Sequence, residues 1–409
     1  MIPLCRAYML NNLDAPVSQL CVLQWLKMAK LRSDIELETA IMDFVECNFS
    51  LVMQTPDFMA TDLDIVVSLL ASSRLVVHNE TMLLYATLMW LETFVESSHH
   101  SDESIRKVFH SVLRHIRWTM LTSEEIACLQ DCSVIRQFFQ KYRQYCIPQQ
   151  FPLYILQQLC LNEKKDFFQT ESLYFSCGEL YQKASMCKEN MQSCSGKFKS
   201  TMQADVDCAH CNKTSKYHHR NTEEILPRVY INDYWCTALT ISNFHAFPQY
   251  GTQTFLFSTP GISDTDSYVR NTLEWEVEMC PKGVHFPPAV LIGLERDGNK
   301  LVEESYLKTV RLSVMSHSEQ ELPLKVEVNV LIQTNSCAAS GRTFVERCVS
   351  RTCIFDSVYQ RHNLDDIVRL EEIAKYLRPE SSVPSLHLTS FMAFTLYIVM
   401  KRIPYISSS

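Results

Sequence analysis

Two hydrophobic periods divide the chain. Up to about Tyr145 apolar residues recur at helical spacing, and from about Cys236 they alternate with polar ones. In the first region Asp14 before Ala15-Pro16 predicts a helix start. Val17, Leu20, Cys21, Gln24 and Met28 then share a face, widened by Leu23, Leu26 and Ala29. A second helix is expected over residues 33–48, with Ile35, Ala40, Ile41, Phe44 and Val45 inward, and a short one carrying Leu63, Val66, Val67 and Leu70. The strongest signal follows Asn79-Glu80: Leu83, Leu84, Thr87, Leu88, Leu91, Phe94 and Val95 on one face, with Trp90 alongside. Residues 105–118 predict another helix, and Thr122-Ser123-Glu124-Glu125 opens one more with a cap and an acidic first turn. Short polar links between such helices imply an antiparallel array.

In the second region Leu273, Trp275, Val277 and Met279 alternate with Glu274, Glu276 and Glu278, the pattern of a half-buried strand with a wet acidic face. Residues 289–295 and 300–304 flank Arg296-Asp297-Gly298-Asn299, a hairpin signal. Val310, Leu312 and Val314 alternate again, as do Leu324, Val326, Val328, Val330 and Ile332. Further strands are expected near residues 344–355 and 394–401, with a helix at 365–377 between them. Residues 386–400 form the one membrane-like run, but at about 15 residues it falls short of a span and reads as a buried strand. Between the regions, residues 146–235 are mixed, and residues 183–225 are polar and aperiodic enough to be a low-order linker or insertion. The fold expected is α+β: an N-terminal antiparallel helical array followed by an antiparallel β-sandwich-like domain.

Composition narrows the function class. At 46% hydrophobic and 21% charged residues the chain is ordinary globular material, and a net charge of −8 supplies no footprint for nucleic acid or an anionic membrane surface. Seventeen cysteines, an odd number, are scattered singly, and the N-terminus lacks a secretory leader. That usage reads as reduced thiols in a cytoplasmic or nuclear protein.

Candidate chemistry is sparse. Cys208-x-x-Cys211 followed by His218-His219 offers zinc-type donors. The gap from Cys211 to His218 is shorter than a finger requires, so a polar loop is the better reading and no metal or other cofactor is expected. No nucleophile elbow, phosphate loop or dinucleotide fingerprint occurs, so no catalytic residue is assigned. Glu274, Glu276 and Glu278 read as a solvated strand face. Trp90 and Phe138-Phe139 read as core before they read as partner anchors.

Residues 33–98 resemble the BACK domain that follows BTB/POZ domains in adaptor proteins. The resemblance rests on Phe44-Val45-Glu46-Cys47-Asn48-Phe49, Val52-Met53 and Thr55-Pro56-Asp57-Phe58, and then on Leu69-Leu70-Ala71-Ser72-Ser73, Leu75-Val76-Val77, Asn79-Glu80 and Trp90-Leu91. It implies a remnant of BTB C-terminal helices over 1–32, with 5–13 and 17–30 as its last helices, a BACK-like domain over 33–145, and an antiparallel β domain over 236–409. No kelch repeat follows, since there is no Gly-Gly pair. Arg270-Asn271-Thr272-Leu273 and the Asp297-Gly298 hairpin make the β region resemble the germ cell-less-like branch, while Trp275 and Pro281-Lys282-Gly283 resemble a MATH/TRAF-like sandwich. The family resemblance implies a non-enzymatic adaptor or scaffold with protein partners. A cullin scaffold and homodimerisation through the BTB are implied for a form with a full BTB, and nucleic acid and a membrane span are not. The alternatives are a structural germ-cell or nuclear-envelope scaffold and a thiol- or zinc-dependent enzyme centred on residues 208–219.

Overall fold

The structure, a computed structural model, describes residues 2–13, 20–97, 101–121, 123–145, 226–260, 272–284, 308–317, 323–335, 343–356, 359–379 and 392–403. The 289–304 hairpin, the 183–225 segment and Cys208, Cys211, His218 and His219 lie outside the described residues. The chain divides into two compact units, one built from residues 1–52, 68–79 and 227–409, the other from 53–67 and 80–226.

The first unit opens with α1 (Ile2–Asn11), α2 (Val22–Leu31), α3 (Ile35–Cys47) and the single turn α4 (Phe49–Val52). Asp34 caps α3 by accepting from the Leu37 amide, and Glu36 and Glu38 follow in its first turn, where the helix dipole favours them. The buried face of α2 is Val22, Leu23, Leu26 and Ala29. The face expected from Leu20, Gln24 and Met28 is the exposed one, with Leu20 64% exposed. Both stripes have helical spacing, and α2 turns the one rich in branched aliphatics toward α3. In α3 the inward residues are Leu37, Ile41, Val45 and Glu46. Ile35, expected inward, is 77% exposed at the first turn, and Phe44 is half-buried.

The β domain is a sandwich of antiparallel sheets. Its elements are β3 (Cys236–Ile241), β4 (Gln253–Pro260), β5 (Thr272–Cys280), β6 (Arg311–Ser316), β7 (Leu324–Asn335), β8 (Thr343–Phe355), β9 (Arg361–Leu364), β10 (Leu377–Pro379) and β11 (Met392–Arg402). One sheet runs β4-β5-β6-β9; in the other β11 lies between β3 and β7, with β8 beyond β7 and β10 against the start of β11. The predicted alternation is what builds the core. Leu273, Trp275, Val277 and Met279 of β5 meet Val326, Val328, Val330 and Ile332 of β7 and Leu396, Ile398 and Met400 of β11, all buried. Burying a side chain of this size contributes roughly 1.5–3 kcal/mol. Trp275 also donates its indole N–H to Thr259 at 2.8 Å, so its polar atom is satisfied inside the core.

The helix expected at 365–377 is not formed. Residues 365–372 run as coil and turn, a short 3-10 turn covers Ile373–Tyr376, and β10 follows. The Val310 amide donates to Val368, Ile367 donates to Val310 and Leu370 donates to Lys308. The main chain is therefore satisfied by the β6 side of the sheet, and Asp366 at φ 58 breaks any helical run. The 386–400 run does enter a sheet as β11 over its described part.

In the second unit Thr55 caps α5 (Pro56–Met59) by accepting from the Phe58 amide. The unit continues through α7 (Glu80–Ser97), α8 (Asp102–Leu113), α9 (Ser123–Asp131) and α10 (Ser133–Lys141). Leu83, Leu84, Thr87, Leu88 and Leu91 are buried on α7, as its periodicity predicts, whereas Phe94 and Val95 are half-buried. Trp90 is buried and donates to the Thr61 carbonyl at 3.0 Å, and Phe138 and Phe139 belong to an aromatic cluster with Phe109 and Tyr142. They are core residues, not surface anchors. The chain crosses from this unit to the first within α6 (Leu63–Ala71) and returns after β1 (Val76–Val77). Among the described residues no helix is long and apolar enough to cross a membrane.

Candidate functional site: a helix-to-sheet joint and an open sheet face

Within the first unit the two sheets of the sandwich have different outer surfaces. The outer face of the sheet containing β7, β8 and β11 carries a second, small apolar cluster. Leu331, Val345 and Val399 meet Val76 of β1 and Val229 of β2 (Val229–Tyr230), with Cys47, Trp235, Cys348 and Tyr397 packed around them. β1 and β2 pair in parallel, Val76 with Val229 and Val77 with Tyr230.

Polar groups pin this joint. Asn48, at the end of α3, donates from its amide nitrogen to the Val345 carbonyl at 2.8 Å and accepts from the Val345 amide at 2.7 Å. It thereby pairs with β8 as another strand residue would. Arg228, 1% exposed, donates to the carbonyls of Leu70 and Ser72 at 2.7 and 2.6 Å. These are orphan acceptors at the end of α6, where a cation is favoured by the dipole. Lys401, equally buried, reaches the Ser73 carbonyl at 3.3 Å and Glu327 at 3.2 Å. Ser72 donates to Glu46, and Arg74 pairs with Asp43 and, at 3.2 Å, with Glu46. The Phe44 ring, turned from the helical core, lies 6.3 Å from Phe344 of β8.

Two thiols meet here. Cys47 and Cys348 pack against the same apolar cluster, and Cys348 has the Ser350 hydroxyl at 3.6 Å. The neighbouring Cys47 thiol, then Ser350 and the positive charge of Arg74, hold the Cys348 pKa below the ordinary thiol value. The Cys348 thiol and burial push Cys47 up. At Cys236 burial, with Asp233 nearby, pushes the thiol up to about 12.

The opposite sheet carries cross-strand rows on its outer side, in which Ser313 is buried and Glu276 and Glu278 are half-buried. Leu256, Glu276, Met315 and Arg361 stand in register across β4, β5, β6 and β9, and Thr254, Glu278, Ser313 and Asn363 form the next row. Arg361 pairs with Glu278 at 3.0 Å, and His317 bonds Glu276 at 2.8 Å. The Glu274, Glu276 and Glu278 row is thus the wet face its period predicts. Leu256 is 73% exposed on β4, a terminal strand in the order of its sheet.

Of the metal candidates, Cys208, Cys211, His218 and His219 lie outside the described residues, and among the described residues no group of three His, Cys, Asp or Glu is placed to hold an ion. Sequence reasoning missed Asn48, Arg228 and the Cys47–Cys348 pair as partners, since each joins distant segments. Its one usable signal was the Asn48-Phe49 step of the BACK-like motif.

Residues 22–130 match the family described as "BTB And C-terminal Kelch" (BACK), and residues 225–404 match the "BTBD17 TRAF domain". Residues 22–130 are thus similar to a BACK domain and residues 225–404 to a BTBD17-type TRAF domain, each match covering less than half of the chain. It is similar to BTB/POZ domain-containing protein 17 of Xenopus laevis, 30% identical over 128 residues, and to that of Xenopus tropicalis, 27% identical over 128 residues. Each alignment covers 31% of this chain and 26% of the relative. Of the two resemblances read for the β region, the TRAF-like one is supported and the germ cell-less-like one is not. In the TRAF domain, Lys282 donates to the carbonyls of His245 and Phe247 at 3.0 and 2.6 Å. Gly283 after it takes φ 81, a conformation that favours glycine.

Proposed function

We propose that the chain is a non-enzymatic protein-interaction adaptor whose TRAF domain takes a client protein on the β4-β5-β6-β9 sheet. The observation that carries this reading is the asymmetry of the sandwich. One sheet is occupied by α3, β1 and β2, while the other presents an exposed leucine beside a row of paired charges. Surfaces of mixed apolar and charged character with a terminal strand suit protein recognition, including addition of an extended segment to the strand edge. On the helical side the reading adds a scaffold partner of the cullin type, with homodimerisation belonging to a BTB. The site of action expected is the cytoplasm or nucleus.

The test is affinity purification with quantitative mass spectrometry on the chain and on a Leu256→Glu, Arg361→Glu variant with an unchanged circular dichroism spectrum. Loss of a discrete set of partners, with scaffold partners retained, supports the reading. An identical partner set from both proteins overturns it.

A further inference from the structure

We propose that Cys47 and Cys348 form a redox-modification site, oxidised by hydroperoxides to a disulfide that ties α3 to β8 across the joint. The pair stands on geometry beyond its two sulfurs. Cys47 immediately precedes Asn48, whose side chain brackets the Val345 peptide at 2.7 and 2.8 Å, three residues before Cys348. The Phe44 and Phe344 rings, tilted to each other at 6.3 Å, add a second contact between α3 and β8. Both cysteines pack around the same apolar cluster and both retain partial exposure. The helix end and the strand that carry the two thiols are therefore held against each other.

The surroundings divide the roles. Ser350 lies 3.6 Å from the Cys348 sulfur and itself donates to Asn329 at 2.6 Å, which fixes it beside the thiol. Arg74, shared with Asp43 and Glu46, is a cation whose charge reaches Cys348, while Glu327 acts on it from β7 with Lys401 paired to that carboxylate. The Cys47 thiol and the Arg74 charge lower the cost of a thiolate at Cys348, and the more ionised thiol is the one that attacks.

The Cys348 thiolate attacks one peroxide oxygen. The O–O bond breaks, a sulfenic acid forms on Cys348, and the departing hydroxide takes a proton to become water. Cys47 then gives up its proton and attacks the Cys348 sulfur. The S–S bond forms, the S–O bond breaks, and the second oxygen leaves as water. Two electrons pass from the two sulfurs to one peroxide, so two thiols and one hydrogen peroxide give a disulfide and two waters.

The experiment takes the reduced full chain, adds hydrogen peroxide, blocks remaining thiols and maps peptides without reduction. A cross-linked peptide pair holding Cys47 and Cys348 is expected, appearing before Cys353 on the inner face of β8 reacts and lost on dithiothreitol. With it, amides of β8 near Cys348 should gain hydrogen-exchange protection. In Cys47→Ser the oxidation should stop at the sulfenic acid, trapped by dimedone on Cys348, and in Cys348→Ser dimedone should leave Cys47 unlabelled. A map in which other cysteines oxidise while these two stay free overturns the proposal, as does a dimedone adduct at Cys47 in Cys348→Ser. The wild-type map decides without any variant, so misfolding of either substitution does not shield the idea.

Discussion

Replacing Asn48 by Ala should loosen the joint between α3 and β8 more than any surface substitution of similar size. The Asn48 side chain is buried and makes two bonds to the main chain of one residue, donating to the Val345 carbonyl at 2.8 Å and accepting from its amide at 2.7 Å. Its amide also reaches the Phe44 carbonyl at 3.0 Å. Val345 is itself buried, so truncation leaves a main-chain donor and an acceptor without their partner in a place water does not readily reach. Each orphaned group costs about 1–3 kcal/mol, and the two belong to one residue and face one cavity, so the expected loss is roughly 2–4 kcal/mol. Backbone strain does not contribute, because Asn48 sits at φ −119, open to any residue. Urea unfolding gives the free energy, and hydrogen exchange at Val345 gives its location. Asn12→Ala, which removes an exposed bond to the Tyr8 carbonyl, is the control and should be near neutral. Asn48→Asp keeps the acceptor for the Val345 amide but sets a carboxylate against two carbonyls, so it should also destabilise. If Asn48→Ala costs less than about 0.5 kcal/mol, the level of ordinary surface changes, the bracket around Val345 does not hold the joint.

Three further outcomes follow from the same structure. Arg228→Met should cost about 2–4 kcal/mol by urea titration, because two carbonyls at the end of α6 lose charged donors, and Arg228→Lys should recover only part of it. Leu88→Ala, fully inside the α7 core, should cost on the order of 2–5 kcal/mol, read by the same titration in the second unit. Stability should fall as pH rises above 9 toward about 12, since the unfolded chain ionises Cys236 in that window while the folded chain keeps it neutral. Cys236→Ala should flatten that part of a pH series of thermal midpoints.

What the sequence disclosed followed from how far each signal reaches along the chain. The β5 and β7 alternation was legible because each strand has one side in a two-sheet core and the period of two survives no register slip. The α7 face was legible for the same reason at helical period. On α2 two stripes of equal spacing competed, and only packing against α3 decides that Val22, Leu23, Leu26 and Ala29 go inward. At 365–377 the spacing of Ile367, Leu370, Ile373 and Tyr376 mimics a helical face, yet the backbone bonds of Ile367 and Leu370 go to Val310 and Lys308. Local period cannot see a partner on another strand. The joint was illegible for that reason in its extreme form: Asn48 and Val345 are 297 positions apart.

The chemistry of the joint explains how one face of the sandwich holds α3, β1 and β2 in a fixed position. Its apolar cluster of Val76, Val229, Leu331, Val345 and Val399 is small, and hydrophobic burial alone tolerates sliding. Asn48, Arg228 and Lys401 remove that freedom, because each is buried and each bonds to main-chain groups whose positions are fixed by α6, β8 or the turn at Ser73. A shift by one residue would strand all three at once, and a buried unpaired charge is far costlier than a lost apolar contact. The polar groups therefore specify register while the valines supply adhesion. Substitutions at Asn48 or Arg228 should consequently raise hydrogen exchange where α3 and β8 meet, even where each sheet of the sandwich keeps its own protection.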